Sequence, residues 1–143
     1  MKMSKDAFTM MELIFVIVIL GILSAVALPK INSSEKLANI AKGRSDIASI
    51  RAAILSERQS QIIKGVTTFI PKLSSSTSEN TLFLGDGTRK LLMYGIKKGD
   101  WKHTSEKTYT YTLDGVATTF TYDNADGTFG CVADTNDCNK LVD

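Results

Sequence analysis

From Leu13 to Leu28 the chain runs sixteen residues without a charge, and no other feature of its 143 residues constrains the fold as strongly. As a helix those sixteen residues reach about 24 Å, short of the roughly 30 Å hydrocarbon core of a bilayer. Counting back to Phe8 gives twenty-one residues and about 31 Å, enough to cross. The longer span takes Glu12 into or against the membrane. An ionised carboxylate is unfavourable by up to about 2.5–3.5 kcal/mol at the centre of a span and by less near its end, so Glu12 calls for a cationic partner.

Two ordinary readings of this segment stand open. Ser24-Ala25-Val26-Ala27 supplies the small-x-small pattern of a signal-peptide cleavage site. Against it, Lys2 and Lys5 are offset by Asp6 and Glu12, which leaves a weak positive n-region. A plain single-pass anchor with Glu12 at headgroup level accounts for the length but not for the pattern around it.

A third reading rests on Lys5-Asp6-Ala7-Phe8-Thr9-Met10-Met11-Glu12-Leu13 and the Ile/Val/Leu run that follows to Leu23. This stretch resembles the N-terminal signature of type IV prepilins and type II secretion pseudopilins: a short charged leader, then Phe, with Glu at the fifth mature position. Pro29 stands where that family carries a helix-kinking proline. The resemblance covers about 25 of the 143 residues, with leader, Phe, Glu, apolar run and proline all in register. One departure is Ala7, where the family usually has Gly; alanine is small enough to be tolerated, with slower cleavage at worst. The resemblance implies cutting between Ala7 and Phe8 by a prepilin peptidase that also N-methylates Phe8. The new amine is then a cation for Glu12, either within one chain or between neighbouring subunits as they assemble, where the pair sets axial register. It also implies an inner-membrane assembly platform, other pilin-like subunits and copies of the chain itself as partners. The N-terminus is expected in the cytoplasm and the head in the periplasm, with the filament periplasmic or extracellular.

Beyond Pro29, Leu37, Ile40, Ile47, Ile50 and Ile54 mark one helical face, with Ala41, Ala48 and Ala53 beside them. The pattern predicts a helix from about Phe8 to about Lys64, bent near Pro29 and loosened at Gly43. The expected organisation is a leader over 1–7, a membrane and filament-core helix over 8–28, an amphipathic helix over 29–64 and a β-rich head over 65–143. The fold class is α+β, a long N-terminal helix packed on a small antiparallel sheet.

Within the head, Gly65 ends the helix, and Pro71 with Ser74 to Ser78 reads as a polar loop. Residues Arg89 to Tyr94 fit a short helix or a strand equally. Tyr109, Tyr111 and Leu113 alternate with threonines, Asp114-Gly115 is a two-residue turn, and Val116, Thr118, Phe120 and Tyr122 alternate on the return. That turn length pairs Leu113 with Val116, Tyr111 with Thr118 and Tyr109 with Phe120, with the aromatic face toward the helix. A third strand is expected from Thr128 to Val132.

The formal net charge of +2 is spread along the chain, so bulk charge implies no polyanion partner. Two cysteines, Cys131 and Cys138, are too few for a four-ligand zinc site and fit a disulfide in an oxidising compartment. Such a pair also matches the C-terminal disulfide loop of many pilins. Asp123, Asn124 and Asp126 gather oxygens in a turn that calcium could use, although Asx-rich turns are common without metal. Lys97, Lys98, Trp101 and Lys102, with His103 and Lys107 near them, form the one basic cluster with an aromatic. If the chain captures DNA, as a minor pilin could, the contact belongs there; a solvated loop before a strand is the plainer reading. A catalytic mechanism would depend wholly on His103, so no enzymatic activity is expected.

The resemblance thus implies a structural subunit of an envelope filament serving a pilus, type II secretion or DNA uptake. The alternative is a minor subunit that binds DNA or primes assembly at the tip.

Overall fold

The computed structural model describes residues 8–77, 80–131 and 136–142, with the side chains of residues 28–33 and 136 outside the described set. The expected leader over 1–7 therefore lies outside the described residues. The chain divides into two compact units, Met1–Leu37 and Ala38–Asp143, and α1 (Met10–Ile63) contributes to both.

Among the described residues the first unit is helical from Met10. Thr9 Oγ1 accepts from the Glu12 amide at 3.2 Å, which satisfies one of the amides that a helix start leaves without a partner. Ile and Val are indifferent helix formers in water, but in hydrocarbon a backbone has no other way to satisfy its polar groups. Met10–Ala27 is long and apolar enough to cross a membrane, a test that a signal sequence also passes, and all of it is exposed. The backbone is helical through Pro29. One helix thus continues through the position where a bend is expected.

The second unit is built on the half of α1 that follows Ala38. Leu37 is exposed and Ile40 half-buried, whereas Ile47, Ile50 and Ile54 are fully buried, so the packed face starts later than its periodicity predicts. Opposite them stands a four-stranded antiparallel sheet in the order β3-β4-β5-β6 (Trp101–Ser105, Thr108–Leu113, Val116–Tyr122, Phe129–Cys131). The central hairpin has the expected register, Leu113 to Val116, Tyr111 to Thr118 and Tyr109 to Phe120. Asp114 and Gly115 both have positive φ, 50° and 82°, which gives the turn the twist of its strands. Phe129–Cys131 is the third strand expected near the C-terminus, and Val132 lies outside the described residues.

One expected loop is a strand. The basic stretch around Lys102 is β3, paired with β4 as Trp101 to Tyr111 and His103 to Tyr109. Its alternation places Trp101 and His103 inside and Lys102 and Thr104 outside. A short ladder, β1 (Thr81–Leu82) with β2 (Ile96–Lys97), lies against β3. Arg89 to Tyr94, undecided from sequence, is irregular apart from a bridge between Gly85 and Lys90. A short helix, α2 (Asn136–Val142), closes the chain.

Gly43 does not loosen α1; it admits α2. A Cβ there would lie 2.7 Å from Leu141 Cδ2 and 2.9 Å from the Tyr111 ring. The Arg44 guanidinium donates to the Lys140 carbonyl at 2.7 Å, and Cys131–Cys138 is disulfide-bonded, so packing, a hydrogen bond and a covalent bond hold α2 in place.

Candidate functional site

The N-terminal turn of α1 combines the residues the sequence singles out. Phe8 and Glu12 are both exposed, and among the described residues no cation pairs with the Glu12 carboxylate. Thr9-Met10-Met11-Glu12 has the spacing of a capping box, a signal present in the sequence and overlooked there. Placed in the first turn, the carboxylate also meets the positive end of the helix dipole, worth roughly 0.3–1 kcal/mol at an exposed site. That interaction keeps Glu12 compatible with the helix start and leaves both its oxygens available. From Leu13 on, the helix presents only apolar and small side chains to its surroundings as far as Ala27. Ala7, the other half of the expected cleavage site, lies outside the described residues.

The remaining candidates are dispersed over the second unit. Cys131 and Cys138 form the expected disulfide. The basic cluster loses its aromatic, because Trp101 is only 1% exposed. Its ring packs against Phe83, Tyr111 and Phe120, and Nε1 donates to Asp46 Oδ2 at 3.0 Å, so no face is left for a base to stack on. Burial pushes the Asp46 carboxyl above its ordinary range, and the Trp101 hydrogen bond works against that shift. Lys97 and Lys102 are exposed, and the Lys98 ammonium lies 3.4 Å from the Thr77 carbonyl. His103 is 7% exposed, stacked on Tyr109 with centroids 4.6 Å apart and bonded through Nδ1 to the Ser76 carbonyl at 3.0 Å. It is a buried polar residue beneath the sheet's outer strand, with Nε2 making no hydrogen bond among the described residues.

The acidic turn, expected as a calcium candidate on Asp123, Asn124 and Asp126, is laced by hydrogen bonds of its own. Asp123 Oδ1 accepts from the Ala125 amide at 2.8 Å. Asp126 Oδ1 accepts from the Thr128 amide and hydroxyl at 2.9 and 2.7 Å. The Asn124 amide oxygen takes the Lys107 ammonium. The Thr128 backbone and then side-chain hydrogen bonds hold the Asp126 carboxyl below its ordinary range. Asp123 and Asp126 each use one carboxylate oxygen for hydrogen bonds within the turn, and Asn124 uses its amide oxygen for Lys107. Among the described residues no three His, Cys, Asp or Glu side chains gather to hold a metal.

A part-buried ion pair of the second unit was invisible in the sequence. Arg89 donates Nε and Nη2 to the two Glu57 oxygens, each at 2.7 Å, and also reaches the Phe69 and Thr68 carbonyls at 3.1 and 3.0 Å. Thirty-two residues separate the two partners, and no local pattern announces the pair. No family model, no curated protein and no solved structure matches the chain.

Proposed function

We propose that the chain is a pilin-like structural subunit, cut between Ala7 and Phe8, N-methylated on Phe8, held in the inner membrane by residues 8–28 and assembled with its own copies and other pilin-like subunits into an envelope filament. The observation that carries the reading is Glu12: one carboxylate, one turn into an otherwise uncharged exposed helix, with no described cation to neutralise it. Cutting before Phe8 creates an ammonium within reach of that turn. A neighbouring subunit's ammonium can serve equally, and the cost of an unpaired charge in low dielectric then makes the pair a register mark for the incoming subunit. The prepilin peptidase and the assembly platform follow from the N-terminal resemblance. The head's work in this reading is architectural, and its stapled C-terminus suits an oxidising compartment.

The test replaces the charge and keeps the shape. Glu12→Gln retains the length and hydrogen-bonding capacity of the side chain, so the membrane-bound pool should be unchanged while filament assembly is lost. If Glu12 is only a capping residue on a plain anchor, Glu12→Gln will assemble like the parent, and the reading fails.

A further inference from the structure

Between the last turns of α1 and the turn that carries Arg89 lies a cleft of about 440 Å³, within the size range of small-molecule sites. Ser56, Ser60 and Lys64 recur every fourth residue along its helical wall, which stacks them on one face. Thr88, Arg89 and Lys90 stand opposite. Both walls are fixed through the backbone. Asp86 Oδ1 accepts from the Thr88 and Arg89 amides at 2.8 and 2.7 Å, which sets the turn. The Lys64 and Val66 amides both donate to the Gln61 carbonyl at 2.9 Å, which closes the helix end.

The charges lining the cleft do not cancel. Glu57 is the one anion among them, and both its oxygens take Arg89 nitrogens, each at 2.7 Å, so its charge is already met. Lys64 and Lys90 remain, one on each wall. Both are exposed, and among the described residues neither ammonium has a hydrogen bond or an ion pair. Two like charges lining one cleft repel unless an anion stands between them. Arg89 adds to their field from a side chain only 14% exposed. Its bonds to Glu57, Phe69 and Thr68 take four of its five N–H groups and leave one, on Nη1, without a described acceptor. Ser56, Ser60 and Thr88 set three hydroxyls around these cations, each able to donate or accept.

We infer that the cleft binds an acidic sugar, its carboxylate or phosphate held between Lys64 and Lys90 over Arg89 and its ring hydroxyls bonded by Ser56, Ser60 and Thr88. Recognition falls to side chains, because α1 turns its carbonyl end, not its amide end, to this part of the fold. The charged contacts give affinity, and the hydroxyls distinguish a sugar from a bare anion. The site lies wholly in the second unit and does not depend on the filament reading.

The test titrates the full chain in non-ionic detergent by calorimetry with glucuronate, glucose 6-phosphate, glucose and inorganic phosphate. Both sugar anions should bind at one site per chain, and the tighter of them identifies carboxylate or phosphate as the preferred group. Glucose, which lacks the charge, and inorganic phosphate, which lacks the ring hydroxyls, should each bind about tenfold or more weakly. Lys64→Gln with Lys90→Gln should weaken the sugar anions by a similar factor, as should Ser60→Trp, which fills the cleft from an exposed helix position. Circular dichroism reports whether these variants are folded. Lys42→Gln with Lys140→Gln, which removes equal charge outside the cleft, should leave the affinity unchanged. Glucose binding as tightly as glucuronate, inorganic phosphate as tightly as glucose 6-phosphate, equal losses from the two lysine pairs, or no binding of either sugar anion would each overturn the site.

Discussion

The Arg89 guanidinium serves four acceptors on two separate segments, α1 and the Thr68–Phe69 stretch, while the Arg58 guanidinium lies 3.8 Å over the Phe69 ring. The Glu57 side chain is 4% exposed and that of Arg89 14%, so removing one partner strands the other in a poorly solvated site. Arg89→Ala is expected to cost about 3–5 kcal/mol in denaturant unfolding. Arg89→Lys should recover little of that, because an ammonium cannot serve the paired carboxylate oxygens and both carbonyls at once. A variant within about 0.5 kcal/mol of the parent would place Arg89 among ordinary surface residues. At this scale the sequence was legible only where partners are close along the chain. The Asp114-Gly115 turn and the two cysteines could be read; Glu57 with Arg89, and Asp46 with Trp101, could not, because the fold alone brings them together. Trp101 misled for the same reason. Its lysine neighbours suggested a wet surface, while strand alternation turned the indole inward.

Among the elements, buried aromatics tie the sheet to α1 and to the segment that follows it while keeping a polar end satisfied. The Tyr111 hydroxyl donates to the Asn39 carbonyl and the Tyr122 hydroxyl to the Ile70 carbonyl, each at 2.8 Å. Burial is the chief cause that pushes both phenols from 10.0 up to about 12, with nearby carboxylates adding to it. Folded values above unfolded ones mean that the stability these phenols contribute is fully present below pH 10 and is lost as pH rises through about 12. Unfolding should therefore follow tyrosinate absorbance across that window. Tyr111→Phe with Tyr122→Phe should flatten this alkaline loss while costing about 1 kcal/mol per hydrogen bond at neutral pH. An unchanged alkaline midpoint in the double variant would assign the transition to other groups. The hairpin behind these tyrosines was readable to the residue because alternation and a two-residue turn are local signals. β3, β1 and β2 were not, since short strands with lysines on their outer face carry little periodicity. Gly43 was misread because a glycine in a helix gives no hint of the neighbour it makes room for.

At the scale of the molecule, the chain is an α+β protein whose first unit contains the exposed apolar helical span Met10–Ala27 and whose second unit carries its own core. The apolar helix was legible because a charge-free run of its length has few physical meanings. In the proposed reading one residue, Glu12, is what would distinguish a helix that assembles from one that only anchors. The direct measurement is the mature N-terminus, read by mass spectrometry on protein purified from the envelope of cells that process it. The account predicts a chain beginning with N-methylated Phe8. A chain beginning at Leu28, or one still carrying Met1 in the assembled fraction, would contradict it.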